Sequence, residues 1–295
     1  MTMVCRLTTS TVDCEQYHRN GYLSPLKALS IDEAVGYRAR LENFERELGG
    51  PISSDEVDGK YRYRLHTLLP WAYELATLPS VLDAVEVLIG QDILIYMTTF
   101  FIKEPDAEAI TGWHQDATYF GLRPYEHVSA WIALSPATEE SGCMLFLPGS
   151  HHAGQLDHRA HTNQKIINTG GQQLVGSFDQ RSAVAAPLNA GEFSLHHTLA
   201  VHYSPANTSD DRRIGFAVSY IPTRCHHIGK NRRAPAMLVR GSDTFGNFDL
   251  ETAPRLGFEV EAKRAHADYY GRYRANYNEQ VTLVEEFGEM QLPGS

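Results

Sequence analysis

The sequence predicts a mainly β fold, an antiparallel sandwich or barrel with flanking helices. Residues 1 to about 90 show helical periodicity and helix caps, whereas short apolar, β-branched runs separated by turns begin near residue 92. No helical pattern separates these runs, which argues against a parallel α/β sheet. We expect one domain over residues 1–295, with a helical part at 1–90, a β core at about 92–221, and a C-terminal loop and helical tail at 222–295.

The composition is that of an ordinary globular protein without a polyanion-binding surface. Of the 295 residues, 42% are hydrophobic and 21% are charged, and the formal net charge is -10. This charge argues against nucleic acid and anionic membranes as partners. We therefore expect a small-molecule substrate, no nucleic acid and no membrane association, while a monomer and a homodimer both stay open.

Two further features lead us to expect a cytoplasmic protein. Residues 1–7 lack the apolar run of a signal peptide, and no segment reaches the length that spans a bilayer. The cysteines are far apart and form no metal-binding pattern, so we expect reduced thiols at Cys5, Cys14, Cys143 and Cys225.

Helix signals dominate the first part of the chain. Ser30 and Glu33 fit a capping box at the start of a helix that Gly49 would end. A second helix is expected to begin at Pro70, whose missing N–H suits the first turn. Ser80 is expected to cap a third helix. We expect these helices to form a layer behind the sheet.

The strand signals begin after this helical part. A turn-rich, polar segment at 150–181 interrupts them and is expected to be a lid or a substrate-facing excursion. The expected core strands are 93–103, 128–134, 143–147, 193–197 and 213–221.

The C-terminal part carries two charged segments. His226, His227 and the run 230–233 form either a solvated loop or a rim that meets an anionic substrate. The stretch 254–289 is expected to be a charged helical tail without a chemical role, in which an oligomer contact is one interpretation. Its tyrosines are Tyr269, Tyr270, Tyr273 and Tyr277.

The segment 113–120 carries the strongest chemical signal. In a β-strand, His114 and Asp116 would share one face while Gln115 points away. They would supply two ligands of a 2-His-1-carboxylate site, which binds non-haem Fe(II) with open positions; the alternative is a buried hydrogen-bonded pair. A second His-x-Asp copy, 266–268, lies in a helix-forming stretch and is expected to be a solvated surface pair.

A third ligand must come from downstream, where spacing leaves several histidines nearly tied. If residues 202–213 form two strands joined by a turn, His202 and Arg213 line one cavity. An arginine there could bind a carboxylate bidentately, or it could be an ordinary salt-bridging residue. We expect His151, His152, His196 and His197 to support the site or occupy turns. The candidates for the third ligand are His196, His197, His202, His226 and His227.

Several motifs in fixed order carry a resemblance to a known family. The chain resembles the phytanoyl-CoA dioxygenase family of Fe(II)/2-oxoglutarate-dependent oxygenases, which includes ectoine hydroxylases and, more distantly, aliphatic halogenases. The resemblance is strong over residues 91–221 and loose over the helical part. Its motifs are residues 100–105 followed by 113–116, then 130–134, 142–151, His202-x-Ser204, Asn207 and Arg213.

The resemblance implies a fold, a metal site and a cosubstrate pocket. The implied fold is a double-stranded β-helix, a cupin-like jelly roll, and the implied Fe(II) ligands are His114, Asp116 and His202. Tyr203 departs from the family pattern, which often has a small residue, and leaves open the shape of the pocket wall. The implied cosubstrate residues are Arg213 and Ser204 at the distal carboxylate of 2-oxoglutarate, Trp131 against the cosubstrate, and Thr111 and Thr99 in the same pocket.

The resemblance also implies the reaction. With Fe(II), 2-oxoglutarate and O2, we expect a dioxygenase that oxidises a small organic molecule while 2-oxoglutarate is converted to succinate and CO2. Because halogenating relatives lack the carboxylate that Asp116 supplies, we expect hydroxylation or a related oxidation. The alternatives are a cupin-like metal isomerase or hydrolase that does not use 2-oxoglutarate, and a non-catalytic small-molecule binding protein. The substrate is left open.

Overall fold

The computed structural model describes residues 13–105, 108–160, 167, 172–176, 178–229, 233–255 and 259–290. No helix within these ranges combines the length and the apolar character that crossing a bilayer requires. The helices are α1 Cys14–Asn20, α2 Ile31–Leu48, α3 Pro70–Ala76, α4 Pro79–Ile89, α5 Ala117–Phe120 and α6 Val260–Met290.

The strands form two main sheets and two small ribbons. The larger sheet has the order β1-β10-β5-β12-β2-β14-β15, the smaller has the order β3-β11-β6-β9, and β4 with β13 and β7 with β8 make the ribbons. The strands are β1 Tyr22–Lys27, β2 Ile93–Lys103, β3 Thr111–His114, β4 Leu122–Arg123, β5 Val128–Ala133, β6 Met144–Phe146, β7 His158–Ala160, β8 Gln172–Leu174, β9 Val184–Ala186, β10 Glu192–His197, β11 His202–Ser204, β12 Arg213–Pro222, β13 His226–His227, β14 Pro235–Arg240 and β15 Asp249–Leu250.

The two main sheets confirm the predicted mainly β fold with flanking helices. All pairings within them are antiparallel except that of β14 with β15. Both sheets direct side chains into one cavity, as in a cupin-like jelly roll. The largest apolar cluster joins the other face of the larger sheet to α2, α3 and α4. The helical layer that we expected behind the sheet is therefore present.

The predicted core strands are confirmed, and β2 is the longest of them. It is buried along almost its whole length, which explains its near-continuous apolar sequence. It pairs with β12, from Lys103 opposite Arg213 to Ile93 opposite Pro222. Strand β12 also pairs with β5. These three strands form the floor of the cavity.

The helical N-terminal part contains two differences from the prediction. Residues Tyr22–Lys27 form a strand that pairs with β10, because Gly21 ends α1 in a left-handed conformation, φ 82°. Helix α4 begins at Pro79, so Ser80 lies inside the helix and donates instead to the Ala28 carbonyl, 3.1 Å. Ser80 is therefore not the predicted cap.

The other helix signals in this part are confirmed. Ser30 and Glu33 form a complete capping box, and α2 ends at Gly49. Helix α3 begins at Pro70. Residues 1–12, including Cys5, lie outside the described part of the chain.

The C-terminal helix packs onto the protein itself. His266 is 0% exposed and donates from Nε2 to the Tyr63 carbonyl, 2.8 Å, so the expected solvated pair with Asp268 is wrong for the histidine. Tyr273 and Tyr277 are also buried. The sequence pattern placed His266 on a charged helix but could not show which face of that helix is covered.

Candidate active site

Three side chains from two distant segments, 114–116 and β11, converge in the cavity. His114 ends β3 and lies opposite His202 at the start of β11. The Nε2 atoms of His114 and His202 lie 3.6 and 3.8 Å from Oδ1 of Asp116. One ligand atom from each residue lies within 4.8 Å of the other two. This donor set, two imidazoles and one carboxylate, fits non-haem Fe(II) with open positions.

The local structure around this motif differs from the expected strand. Strand β3 ends at His114, and Asp116 has helical angles, φ -60° and ψ -33°, just before α5. Gln115 does point away, since its side-chain amide donates to the carbonyls of Gly154 and Leu199. A tight turn, and not strand alternation, therefore brings Asp116 to His114.

Both imidazoles are held with Nε2 directed at the carboxylate. Nδ1 of His114 lies 2.7 Å from the Gly112 carbonyl, and Nδ1 of His202 lies 2.9 Å from the Ala200 carbonyl. Because a carbonyl oxygen only accepts, Nδ1 carries the proton and Nε2 keeps its lone pair. Burial, with repulsion from His114 and His196, holds the pKa of His202 well below its usual value. His202 is thus a neutral, metal-competent imidazole.

The second oxygen of Asp116 has its own partners. Ser129 donates to Oδ2 at 2.7 Å, and Nε2 of His196 lies 3.1 Å from the same atom. Nε2 of His127 in turn lies 3.1 Å from the Ser129 hydroxyl. Burial alone would raise the pKa of Asp116, but the adjacent imidazoles of His114 and His196 hold it well below its usual value. Asp116 is therefore ionised, with Oδ2 occupied and Oδ1 directed at the histidines.

Arg213 lies in the same cavity and is almost fully buried, 1% exposed. Its Nη1 donates to the Gly142 carbonyl at 2.6 Å and to the Ser204 hydroxyl at 2.8 Å. Its guanidinium lies 5.2 Å from the centre of the Trp131 ring. Burial lowers the pKa of Arg213 to about 10, which still leaves a cation at neutral pH.

One edge of this guanidinium is left for a ligand. Among the described residues, none accepts a hydrogen bond from Nε or Nη2 of Arg213. An unpaired buried donor is costly, and this edge matches the two oxygens of a carboxylate. The arrangement can therefore bind a carboxylate bidentately.

Lys103 lies behind the cavity wall, against Ser204, and the sequence reasoning missed it. It is 1% exposed, and its Nζ donates to the Ser204 carbonyl at 2.9 Å and to the Ser204 hydroxyl at 2.6 Å. It also donates to the Pro205 carbonyl. Burial and the nearby charge of Arg213 lower the pKa of Lys103 to about 6. Ser204 is thus fixed between two basic side chains.

All eight residues predicted for the site line this one cavity. Thr99 lies opposite Ala217 on β12, and Thr111 lies opposite Ser204 on β11. The eight are Thr99, Thr111, His114, Asp116, Trp131, His202, Ser204 and Arg213.

His202 and Arg213 do not lie on two paired strands of a hairpin, as was expected. Strand β11 belongs to the smaller sheet and β12 to the larger, so the two residues face each other across the cavity. Tyr203, between two inward residues of β11, stacks on Trp113 with ring centres 5.0 Å apart and does not line the cavity. The departure from the family pattern at Tyr203 therefore does not lie in the cavity wall.

Other predicted segments lie beside the cavity or outside the described residues. In the excursion 150–181, Nε2 of His158 accepts a hydrogen bond of 3.0 Å from the backbone N–H of Gln115, and so supports the 114–116 motif. None of the described residues of this excursion lines the cavity. Arg233 pairs with Asp249 at 2.8 Å. Residues 230–232 lie outside the described part of the chain.

The remaining histidines are placed as supports or elsewhere. His196 lines the cavity as a partner of Asp116, as expected of a supporting residue. The described lining of the cavity also lacks six histidines that were candidates or that lie near the site, namely His127, His151, His152, His197, His226 and His227. The sequence did not identify His127 and Ser129 as partners of Asp116, because a strand sequence does not show which distant side chains its residues contact.

Comparison with known proteins agrees with this geometry. The family profile described as Phytanoyl-CoA dioxygenase (PhyH) matches residues 17–215. A phytanoyl-CoA dioxygenase domain-containing protein 1 homolog from Caenorhabditis briggsae is 30% identical over 175 residues, 57% of this chain and 60% of that protein. The chain spans no more than about 60% of the length of the first curated relatives that it matches.

Solved structures with the same fold include oxygenases. The apo structure of a non-heme monooxygenase, ThoJ, has a TM-score of 0.80 at 31% identity and covers 91% of this chain and 98% of its own. A non-heme alpha ketoglutarate dependent carbocyclase, SnoK from nogalamycin biosynthesis, has a TM-score of 0.56 at 26% identity and covers 75% and 87%. Both similarities extend over most of the described fold.

Proposed function

The chain belongs to the phytanoyl-CoA dioxygenase (PhyH) family, and from this premise we propose that it is an Fe(II)- and 2-oxoglutarate-dependent dioxygenase that hydroxylates a small organic molecule. One observation carries the proposal. A 2-His-1-carboxylate cluster and the open edge of a buried arginine line the same cavity. A metal ligand set and a carboxylate anchor together are what a 2-oxo acid cosubstrate requires.

His114, Asp116 and His202 are proposed to hold the iron. The two Nε2 atoms and Oδ1 of Asp116 are its ligand atoms, and the carbonyls of Gly112 and Ala200 keep the imidazoles in the required tautomer. When bound, Fe(II) with 2-oxoglutarate activates O2, and conversion of the cosubstrate to succinate and CO2 accompanies oxidation of the substrate.

Arg213 is proposed to bind the distal carboxylate of 2-oxoglutarate through Nε and Nη2. Ser204, held by Lys103, fixes the guanidinium from its other side. Trp131, Thr111 and Thr99 are proposed to line the cosubstrate, as the family pattern implies. Because Arg213 is buried, its charge acts in a medium of low dielectric constant, where an ion pair is stronger than in water.

Hydroxylation is the proposed outcome because Asp116 supplies the carboxylate that halogenating relatives lack. The structural relative ThoJ is described as a monooxygenase, whereas SnoK is described as a carbocyclase, so related sites support more than one oxidation. An isomerase or hydrolase that does not use 2-oxoglutarate would have no need of the open Arg213 edge, and a pure binding protein would have no need of the metal cluster.

The test is succinate release from 2-oxoglutarate under Fe(II) and O2, with a panel of small metabolites. We expect succinate release that depends on Fe(II) and rises with a substrate. Arg213→Ala should raise the KM for 2-oxoglutarate at least roughly tenfold, the loss expected when about 1.5–3 kcal/mol of charged hydrogen bonding is removed. Arg40→Ala, on the exposed face of α2, is the control. A metal-loaded protein that releases no succinate with any metabolite would contradict the proposal.

A further inference from the structure

We propose that the end of the cavity remote from Arg213 binds the substrate, that it selects a neutral, ring-bearing group, and that Tyr273 of α6 forms one wall of it. We call this region the aromatic end and define it by its lining residues: Tyr63, Met97, Tyr119, Phe120, Ser219 and Tyr273. The inference rests on the proposed function, because the metal and cosubstrate sites define the other end.

The strand register separates the two ends. Alternate residues of β12 face the cavity, and of these Arg213 and Ser219 are furthest apart. Six residues of strand span roughly 20 Å, so the arginine and the serine mark opposite ends of the floor. Ser219 lies opposite Met97 on β2 and Ser129 on β5. Since Ser129 contacts Asp116, the metal cluster adjoins the aromatic end.

The two ends also belong to different apolar clusters. Trp131 and Met144 pack in a cluster with Phe146, beside Arg213. Met97, Phe120 and Tyr273 pack in another cluster. A molecule bound at the aromatic end would therefore reach the metal cluster without displacing the cosubstrate from Arg213.

Aromatic rings form most of the wall of the aromatic end, and they lie within contact distance of one another. Tyr63 and Tyr273 lie 6.3 Å apart between ring centres. Tyr119 lies 5.6 Å from the His114 ring, so it connects the wall to the metal cluster. Aromatic side chains stack on, or meet edge to face, another ring at centre distances of about 4.5–7 Å. A ring-bearing substrate group thus has several faces and edges to contact.

No charged side chain is present among the described residues of the aromatic end. Burial raises the pKa of Tyr273 well above its usual value, so its phenol stays neutral. A charged substrate group placed there would be desolvated without an opposite charge, which is strongly unfavourable. The chemistry of this end therefore favours a neutral group.

Helix α6 packs closely against the segments that form the aromatic end. His266 donates to the Tyr63 carbonyl, which ties the helix to the segment that carries another ring of the wall. Gly121, with φ 58°, lets α6 approach so closely that a Cβ there would lie 2.3 Å from the Gln280 side chain. The family profile ends at residue 215, so this wall comes from a segment outside the matched region.

The test is direct binding to metal-free protein, by ligand-observed NMR, of three probes of similar size: 2-naphthol, 2-naphthoate and decan-1-ol. Every protein in this test carries Arg213→Ala, so that 2-naphthoate cannot bind the carboxylate anchor at the other end of the cavity, and the otherwise unchanged protein is the wild-type reference. We expect 2-naphthol to bind at least about tenfold more tightly than either of the others, a difference of about 1.4 kcal/mol. Tyr273→Ala should weaken 2-naphthol binding at least about tenfold, and Tyr273→Phe should bind within about threefold of the wild type, because the ring is retained.

Tyr269→Ala is the matched control, because Tyr269 lies on the same helix but is not among the residues that line the cavity. Circular dichroism would show that the variants fold. Ser219→Leu, which fills the aromatic end from the floor, should also weaken binding and does not depend on α6. Equal or tighter binding of 2-naphthoate or decan-1-ol would overturn the proposal. Equal 2-naphthol affinity in the Tyr273→Ala and Tyr269→Ala variants would also overturn it. So would a Kd of the wild type for 2-naphthol above about 1 mM.

The binding test and the succinate-release test can fail independently of each other. Binding to metal-free protein needs neither iron nor 2-oxoglutarate, whereas succinate release needs both. Loss of succinate release with intact 2-naphthol selectivity would refute the dioxygenase alone. Succinate release without that selectivity would refute the substrate class alone.

Discussion

Ser129 donates a hydrogen bond of 2.7 Å to Oδ2 of Asp116, while Oδ1 of the same carboxylate is the oxygen nearest to the Nε2 atoms of His114 and His202. The two oxygens thus have separate partners. A carboxylate held in this way presents one oxygen in a fixed direction, which lowers the cost of organising the cluster around a metal.

Ser129→Ala is expected to weaken Fe(II) affinity about 10–100-fold, as is typical for the loss of a hydrogen bond to a metal ligand. Anaerobic isothermal titration would measure it. Ser194→Ala is the control, because Ser194 is also buried on the larger sheet but its hydroxyl has no hydrogen-bond partner among the described residues. Equal affinities in the two variants would show that the Ser129 hydrogen bond does not orient Asp116.

Asp116→Ala is expected to abolish hydroxylation, or to open a halide site, because it removes the only carboxylate of the cluster. Fe(II) affinity should fall by more than the roughly 10–100-fold expected for a supporting residue. Mass spectrometry of the products, with and without chloride, would distinguish the two results. Asp268→Ala, which removes the exposed carboxylate of the second His-x-Asp pattern, should behave as wild type. Hydroxylation by Asp116→Ala at the original rate would refute the ligand assignment.

Gly215→Ala is expected to destabilise the protein by about 1–3 kcal/mol, as overpacking of a core does. A Cβ at Gly215 would lie 1.8 Å from Trp131 Cζ2, so the indole, whose ring centre lies 5.2 Å from the Arg213 guanidinium, must move. Affinity for 2-oxoglutarate should therefore fall as well. Thermal and urea unfolding would measure the stability, and Trp131→Leu in the same chain should restore much of it.

Gly36→Ala is the matched control for that substitution. Gly36 lies inside α2, and no atom lies within 4 Å of the position that its Cβ would take. Alanine there should stabilise the protein by up to about 1 kcal/mol, because it has the higher helix propensity. If Gly215→Ala were as stable as Gly36→Ala, the close approach of the indole would not be a constraint.

His266→Gln is expected to make the protein less sensitive to acid. Burial lowers the pKa of His266 from 6.5 to about 4, so the unfolded chain takes up a proton before the folded protein does. The stability contribution is complete above pH 6.5 and is lost as the pH falls toward 4. Between about pH 7.5 and pH 5, wild type should lose roughly 2 kcal/mol more than the variant.

Urea unfolding at the two pH values would measure this difference. Glutamine can still donate to the Tyr63 carbonyl, so the hydrogen bond is retained. His226→Gln, at an exposed position of β13, is the control and should keep the acid sensitivity of the wild type. The same loss of stability in wild type and His266→Gln would contradict the prediction.

Local sequence patterns predicted most of the secondary structure, because the features that set it are local. The capping box at Ser30 acts over one turn, and the apolar run of β2 records burial on both faces. The predictions were wrong where a contact with a distant segment determines the local structure or the burial of a residue. Strand β1 forms because β10 offers it an edge, and His266 is buried because α6 covers the Tyr63 segment.

The residues of the candidate site were predictable for a different reason. Spacing left five histidines nearly tied, and only the order of the family motifs favoured His202. The order of the motifs can be read from the sequence because each motif occupies one strand or turn of the fold. The partners Ser129, His127 and Lys103 belong to no such pattern, so they became visible only through their contacts.

Sequence alone was therefore enough to predict a mainly β domain, the family, and eight side chains that share one cavity. Folding decided how they meet: a tight turn places Asp116 beside His114, and two different sheets bring His202 and Arg213 to one space. It also decided that Tyr273 faces that space. Local patterns encode which face of an element is apolar, whereas the neighbour that covers this face depends on packing between segments far apart in the chain.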